Sequence, residues 1–407
     1  MKAAGIHNLE MGENPLQHFR RIASGGRITP PGHIFFWLGE SHAQAGLDEL
    51  YADLHLMGAS KDFRADPHTV VLDNFLSAGS TSRPSLVSLL TDIYDANMEL
   101  NEREMFWKKT VECTLPREMK RLGYRSDFWY GGGLNHGSMQ HFVPRTGFDV
   151  CHAGPDFCGK DAPATWLGVY DHIFLEKAAE IIEKEDSESA FHFLYTTSNH
   201  GPWKLPFAEY GFDADELMPD IPESLKHDKR MMRRLAAAWY ADRELMRFVR
   251  RMREAFPDSL FIVTGDHTTG LIPYQYGLTA RREPSLREQY LTTFAMQHPE
   301  LSQDMLAGNI IGGHMNILPT LIELIAPKGH EYISLFPALT EKIDQVVTPA
   351  CWMIEERIGY YGGVSQSLAV SGEMLPVVRG ENLFVKERDA YCELTAWLVR
   401  HPERLVE

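Results

Sequence analysis

His33-Ile34-Phe35-Phe36-Trp37-Leu38-Gly39-Glu40-Ser41-His42 is the stretch that decides the fold. Ile34 to Leu38 is an uninterrupted apolar run of strand length. A strand with one wet face alternates apolar and polar residues, whereas an unbroken run belongs to a strand buried on both faces. The run stops at a glycine, and a carboxylate comes next. The same pattern recurs downstream. Arg125–Tyr130 ends on Gly131-Gly132-Gly133, Ala190–Tyr195 on Thr196-Thr197-Ser198-Asn199-His200-Gly201-Pro202, and Ser259–Thr264 on Gly265-Asp266-His267. Thr69–Leu72 is a shorter strand. Apolar residues at helical spacing fill the intervals at Ser85–Asp95, Ile173–Glu185, Met231–Ala255 and Met315–Ile325. Strands alternating with helices predict an α/β fold with a mainly parallel central sheet flanked by helices on both faces.

The chain has 407 residues, 44% hydrophobic and 24% charged, which excludes a disordered or fibrous protein. Its 40 basic against 56 acidic residues give a net charge of −16, which argues against nucleic acid as a partner, because phosphate neutralisation needs basic surface. Five cysteines exclude a disulfide-built scaffold. Cys151 and Cys158 are close enough for a local loop bridge, and with His152 they suggest a zinc loop that lacks a fourth ligand at short spacing. No apolar stretch is long enough to span a membrane, and the amino terminus has no signal-peptide core. Residues 1–32, closing on Thr29-Pro30-Pro31-Gly32, are expected to form a leader or linker with a short helix. Residues 33–340 are expected to form the catalytic domain, and 341–407 a small strand-and-helix unit packed on it.

Ligands of open α/β sheets sit beyond the carboxyl ends of the strands. The polar residues just past each strand are therefore the candidate site residues: Glu40, Ser80-Thr81-Ser82, His136, His200 and Asp266-His267. Carboxylates, hydroxyls and imidazoles gathered on one sheet edge are the ingredients of a divalent metal beside an oxygen nucleophile. Each piece also has a plain structural reading. Asp266-His267 suits a cap with a packed histidine, and Ser80–Ser85 suits a helix start, with Pro84 in the first turn. Trp37, Phe128, Trp129, Tyr130 and Trp203 flank the motifs. They read first as core packing around strand ends, and second as an apolar rim for a lipid or glycan.

Taken together, Gly39-Glu40-Ser41, Gly79-Ser80-Thr81-Ser82 before a helix, Asn199-His200-Gly201-Pro202 and Gly265-Asp266-His267 resemble the alkaline phosphatase/sulfatase superfamily. Within it the chain is most similar to the catalytic domains of lipoteichoic acid synthase-like phosphoglycerol transferases and lipid A phosphoethanolamine transferases. Tyr130-Gly131-Gly132 with Met139, Phe142 and Gly147-Phe148-Asp149 resembles a further family segment, as does Gly168-Val169-Tyr170-Asp171. Gly313-His314-Met315-Asn316 resembles the start of a late family helix, whose usual aspartate is replaced by Asn316.

The resemblance implies one divalent metal, Mn or Zn with Mg possible, held by Glu40, Asp266, His267 and the nucleophile oxygen. It implies His200 at the transferred phosphate or leaving group, and His136, Arg83, Trp203 and His314 around the substrate. Aligned on Ser85, Leu89 and Leu90, the nucleophile is Ser82, where the transferases carry threonine; a one-residue shift makes it Thr81. The sulfatase signature fits Ser82-Arg83-Pro84-Ser85 but meets Leu86 where arginine is expected. His200, His314 and Asp156 are loose candidates for a second metal. The implied activity moves a phospho-headgroup, phosphoglycerol or phosphoethanolamine, from a phospholipid donor to a glycan or lipid acceptor through a covalent phospho-enzyme. The alternatives are a sulfatase or phosphodiester/phosphonate hydrolase of the same fold, and a catalytically silent glycan- or lipid-binding domain. Relatives of this kind imply an extracytoplasmic domain of a membrane protein, with a soluble relative as the other option.

Overall fold

The computed structural model describes residues 14–43, 56–185, 189–219, 221–268, 285–368, 374–375 and 384–407. At its centre is a sheet of seven strands. In chain order these are β1 (His33–Gly39), β2 (Thr69–Val71), β3 (Arg125–Tyr130), β4 (Val150–Ala153), β5 (Ala190–Tyr195), β6 (Leu260–Gly265) and β7 (Phe294–Gln297). Their order across the sheet is β2-β7-β6-β1-β5-β3-β4. Only β7 runs antiparallel to its neighbours, pairing with β2 on one side and β6 on the other. The other pairings are parallel.

Strand periodicity explains the unbroken apolar runs. Ile34, Phe36 and Leu38 enter one core with Phe128, Phe193 and Ile262. Phe35 and Trp37 enter the other with Trp129, Leu194 and Val263. On the first face pack helices α1 (Ser82–Thr91), α2 (Leu115–Arg121) and α5 (Ile317–Ile325); on the second pack α3 (Asp171–Ile182) and the long α4 (Lys229–Ala255). Helix α4 starts at an Asp228 cap, whose carboxylate accepts from Arg230 and Met231 N–H groups.

The sequence pattern misses β4 and β7, which are only four residues long and lack an extended apolar run. It also misses a small three-stranded sheet in which Asn74–Leu76 lies between Ile311–Gly313 and Leu291–Thr292. That sheet aims the Ser80–Ser82 turn and the start of the late helix at the same edge of the central sheet. Residues 14–32 are tied in more closely than a linker would be. Pro15–Phe19 forms a 3-10 helix, Arg20–Ile22 pairs with Glu331–Ile333, and Leu16 is fully buried. A five-stranded antiparallel sheet beginning at Gln345, followed by helix α6 (Val385–Arg400), shares the first core through Met353, Ile358, Leu394 and Leu398. All five cysteines are free thiols, so the Cys151–Cys158 bridge is not formed.

Candidate active site

Three adjacent central strands deliver the site. Leu38 pairs with both Tyr195 and Thr264, and Gly39 pairs with Gly265. Glu40, Asp266 and the loop after Tyr195 therefore leave the sheet at one level. The crossing is tight, since a Cβ on Gly265 would run into the His42 carbonyl. Helix α1 points its first residue, Ser82, at the same place.

The Ser82 Oγ lies 3.3 Å from Glu40 Oε2 and 3.2 Å from His267 Nε2. His267 Nε2 is 3.7 Å from both Glu40 Oε1 and Asp266 Oδ1. One ligating atom each from Glu40, Asp266 and His267 falls within 4.8 Å of the others. His267 Nδ1 donates to the Thr268 carbonyl at 2.6 Å, which leaves the Nε2 lone pair facing the cluster. Asp266 Oδ1 accepts from the Ser41 and His267 backbone N–H groups at 2.7 Å each. Among the described residues no lysine or arginine pairs with Glu40 or Asp266. Burial, and then the neighbouring Asp266, push the Glu40 carboxyl well above the usual carboxylate range. Two buried carboxylates, an imidazole lone pair and a hydroxyl without a basic side chain are a donor set that fits a divalent cation.

Tyr195 was not legible as a site residue. It ends an apolar run and reads as core, yet its hydroxyl lies 2.9 Å from Asp266 Oδ2 and 3.2 Å from Glu40 Oε2. Asp171 is a second such residue. It is buried at the start of α3, and its Oδ1 accepts from the Thr197 and Ser198 N–H groups at 3.1 Å each. It thereby fixes the loop that carries His200. The Gly168–Asp171 motif holds the only sequence trace of this role. Asn199 ties that loop to the first through a bond to the Ser41 carbonyl, and Arg234 holds the Asn199 side chain at 2.8 Å.

A narrow cleft, partly open to solvent, runs from Ser82 beneath His136 and His200. Arg83 and Tyr130 line it, with Leu86, Val87, Met139, Phe142 and Leu167 as apolar wall. His200 Nδ1 donates to the Gly201 carbonyl at 2.7 Å, leaving Nε2 available to a ligand. Burial, with Arg83 and His200 nearby, lowers the His136 pKa. Arg83 is 3.7 Å from Glu102.

Other candidates lie elsewhere. Thr81 is exposed at the N-cap position, makes no capping bond and does not line the cleft. Trp203 is buried, with its indole N–H on the Asn199 carbonyl and Arg234 over its ring. His314 is buried beneath the site. It accepts from the Ala78 N–H and donates to the Gly265 carbonyl, and burial lowers its pKa to about 4. With both nitrogens engaged it acts as a strut between the Ser82 turn and β6. Asp156 sits on a short helix after the edge strand. Of the aromatics flanking the motifs, all five are buried. The exposed ring at the cleft is Trp166, edge-on to His200 at 5.0 Å and bonded through its N–H to the Gly201 carbonyl.

A mostly parallel sheet thus carries a hydroxyl and a candidate metal-ligand cluster at its central carboxyl edge. The chain matches the sulfatase family over residues 35–326 and belongs to it. The fold is similar to that of the lipoteichoic acid synthase LtaP of Listeria monocytogenes (TM-score 0.71, 16% identity, covering 95% of this chain and 94% of that one). It is also similar to an alkaline phosphatase superfamily protein of Vibrio parahaemolyticus (TM-score 0.69, 16% identity, covering 100% and 95%). The zinc complex of the periplasmic domain of Escherichia coli EptC aligns with a TM-score of 0.57 and 15% identity, covering 81% of this chain and 93% of that domain. No helix among the described residues is long and apolar enough to cross a membrane.

Proposed function

We propose that this chain transfers a phospho-headgroup, phosphoglycerol or phosphoethanolamine, from a phospholipid to a glycan or lipid acceptor, using Ser82 as a covalent nucleophile outside the cytoplasmic membrane. The observation that carries this proposal is the Ser82 hydroxyl, 3.3 Å from Glu40 and 3.2 Å from His267, at a helix start on the floor of an open cleft. A divalent ion, Mn or Zn, held by Glu40, Asp266 and His267 would draw charge from the phosphoryl oxygens and acidify the Ser82 hydroxyl. Ser82 Oγ attacks phosphorus and gives up its proton to water in the open cleft, and the bond from phosphorus to the lipid oxygen breaks. His200 lines the cleft with its Nδ1 tied to the Gly201 carbonyl, and its Nε2 gives a proton to the departing oxygen. In the second half-reaction an acceptor hydroxyl attacks the phosphoserine and gives its proton back to His200 Nε2, the bond from phosphorus to Ser82 Oγ breaks, and Ser82 Oγ takes a proton from water. The apolar wall and Trp166 suit the carbon parts of a lipid or sugar, and Arg83 and His136 suit its phosphate.

The test is peptide mass spectrometry across Ser80–Ser85 after incubation with bacterial phospholipids and Mn or Zn. A phospho-headgroup on Ser82 is expected, and its mass names the donor. An adduct on Thr81 moves the nucleophile by one residue. Formylglycine at Ser82 with turnover of an aryl sulfate overturns the transferase in favour of a sulfatase.

A further inference from the structure

A second group of metal-ligand side chains lies away from Ser82, on the strands at the far side of the sheet. Asp127 is on β3, His152 on edge strand β4, and Glu185 just beyond α3. One ligating atom from each lies within 4.8 Å of the others. Asp127 pairs with Val150 and Trp129 with His152, so Asp127 and His152 are diagonal neighbours on one sheet face. Asp127 is fully buried. Neither of its carboxylate oxygens has a hydrogen-bond partner, and the same holds for His152 Nε2 and Glu185 Oε2. Buried polar atoms are paired with protein, water or an ion, so two carboxylates and an imidazole converging with one guanidinium beside them mark a missing partner.

The neighbours do not supply it. Arg125 stands 3.3 Å from Asp127 Oδ1 and 3.2 Å from Glu185 Oε2, so its single charge offsets one carboxylate and leaves the other. His192 faces Asp127 from β5, with Nδ1 3.9 Å from Oδ2. That nitrogen already accepts from the Trp129 indole N–H at 3.3 Å and has no proton to give. His152 is held in place by stacking on Trp129 at 3.8 Å. An imidazole nitrogen without a hydrogen-bond partner beside two carboxylates is a mixed nitrogen and oxygen donor set of the kind zinc accepts.

We infer that Asp127, His152 and Glu185 form a second metal site, structural rather than catalytic, for a first-row divalent cation such as zinc. It would clamp edge strand β4 and the end of α3 to the sheet. The test loads the full chain with zinc, removes excess by gel filtration and measures metal by mass spectrometry. An E40Q/H267A chain, stripped of the Ser82 cluster, should keep about one zinc per chain, and adding H152A should abolish it. D127N should act like H152A while changing shape least. A folded E40Q/H267A chain without zinc, or an H152A chain with wild-type zinc content, overturns the inference. Zinc-edge anomalous diffraction from the unsubstituted chain covers the case in which the variants do not fold. A peak between Asp127 and His152 supports the site, and a peak at the Ser82 cluster alone refutes it.

Discussion

Removing the Tyr195 hydroxyl tests whether the candidate metal cluster depends on support from outside its ligands. A phenol carries one proton and donates to one carboxylate at a time; Asp266 Oδ2 at 2.9 Å is better placed than Glu40 Oε2 at 3.2 Å. Tyr195 is buried, and Glu40 and Asp266 are almost wholly so, hence solvent does not replace the lost bond. A hydrogen bond to a charged group contributes about 1.5–3 kcal/mol, or roughly ten- to a hundredfold in an equilibrium constant. Partners that orient metal ligands are independently worth about ten- to a hundredfold in affinity. Y195F should therefore weaken zinc binding by about ten- to a hundredfold. The ring is expected to keep its stack on Tyr130, whose centroid is 5.3 Å away, so the fold should survive. Chelator competition measures the Kd, with circular dichroism as the folding control. A Kd unchanged within about twofold, well under the expected range, refutes the orienting role. A tightened Kd would show that the phenol stabilises the metal-free carboxylates instead.

S82A should lower turnover by at least about four orders of magnitude, as expected for loss of a nucleophile, with transfer followed on labelled phospholipid. T81A should stay folded and active, its stability within about 0.5 kcal/mol of wild type by urea denaturation, because the exposed Thr81 hydroxyl makes no capping bond. In G168A the new Cβ would stand 2.5 Å from the Gly131 carbonyl oxygen and 2.6 Å from Thr197 Oγ1. Overpacking of this kind costs about 1–3 kcal/mol, and the displaced loop bearing His200 should lower kcat as well as the Tm. Burial pushes the Asp171 carboxyl up to about 6, although the Thr197 and Ser198 N–H bonds pull it down. A raised carboxyl favours the folded state most below its unfolded pKa, and that contribution, about 3 kcal/mol, is lost as pH rises from about 4 to about 6. The stability of wild type relative to D171N should fall across this window in urea titrations; a flat difference refutes it.

Much of the fold was legible because burial on both faces writes itself into sequence as unbroken apolar runs, and glycine marks where such strands stop. Ile34–Leu38, Phe193–Tyr195 and Leu260–Val263 carried that signal, whereas β4 and β7 did not. An edge strand and a short antiparallel strand need no long apolar run. Glu40, Asp266 and His267 stood out as polar residues directly after buried strands, where their cost demands a reason. Tyr195 and Asp171 did not, because a tyrosine closing an apolar run and an aspartate opening a helix have ordinary local explanations. Local sequence thus determined which residues must be buried and which polar groups break that rule. Only the tertiary structure decided who meets whom. Parallel pairing of β6, β1 and β5 brings residues more than 200 positions apart to one level, and the direction of α1, rather than residue type, puts Ser82 and not Thr81 within 3.3 Å of the cluster. Neither distance is fixed by propensity or spacing, since each depends on strand order and on the angle at which a helix leaves the sheet.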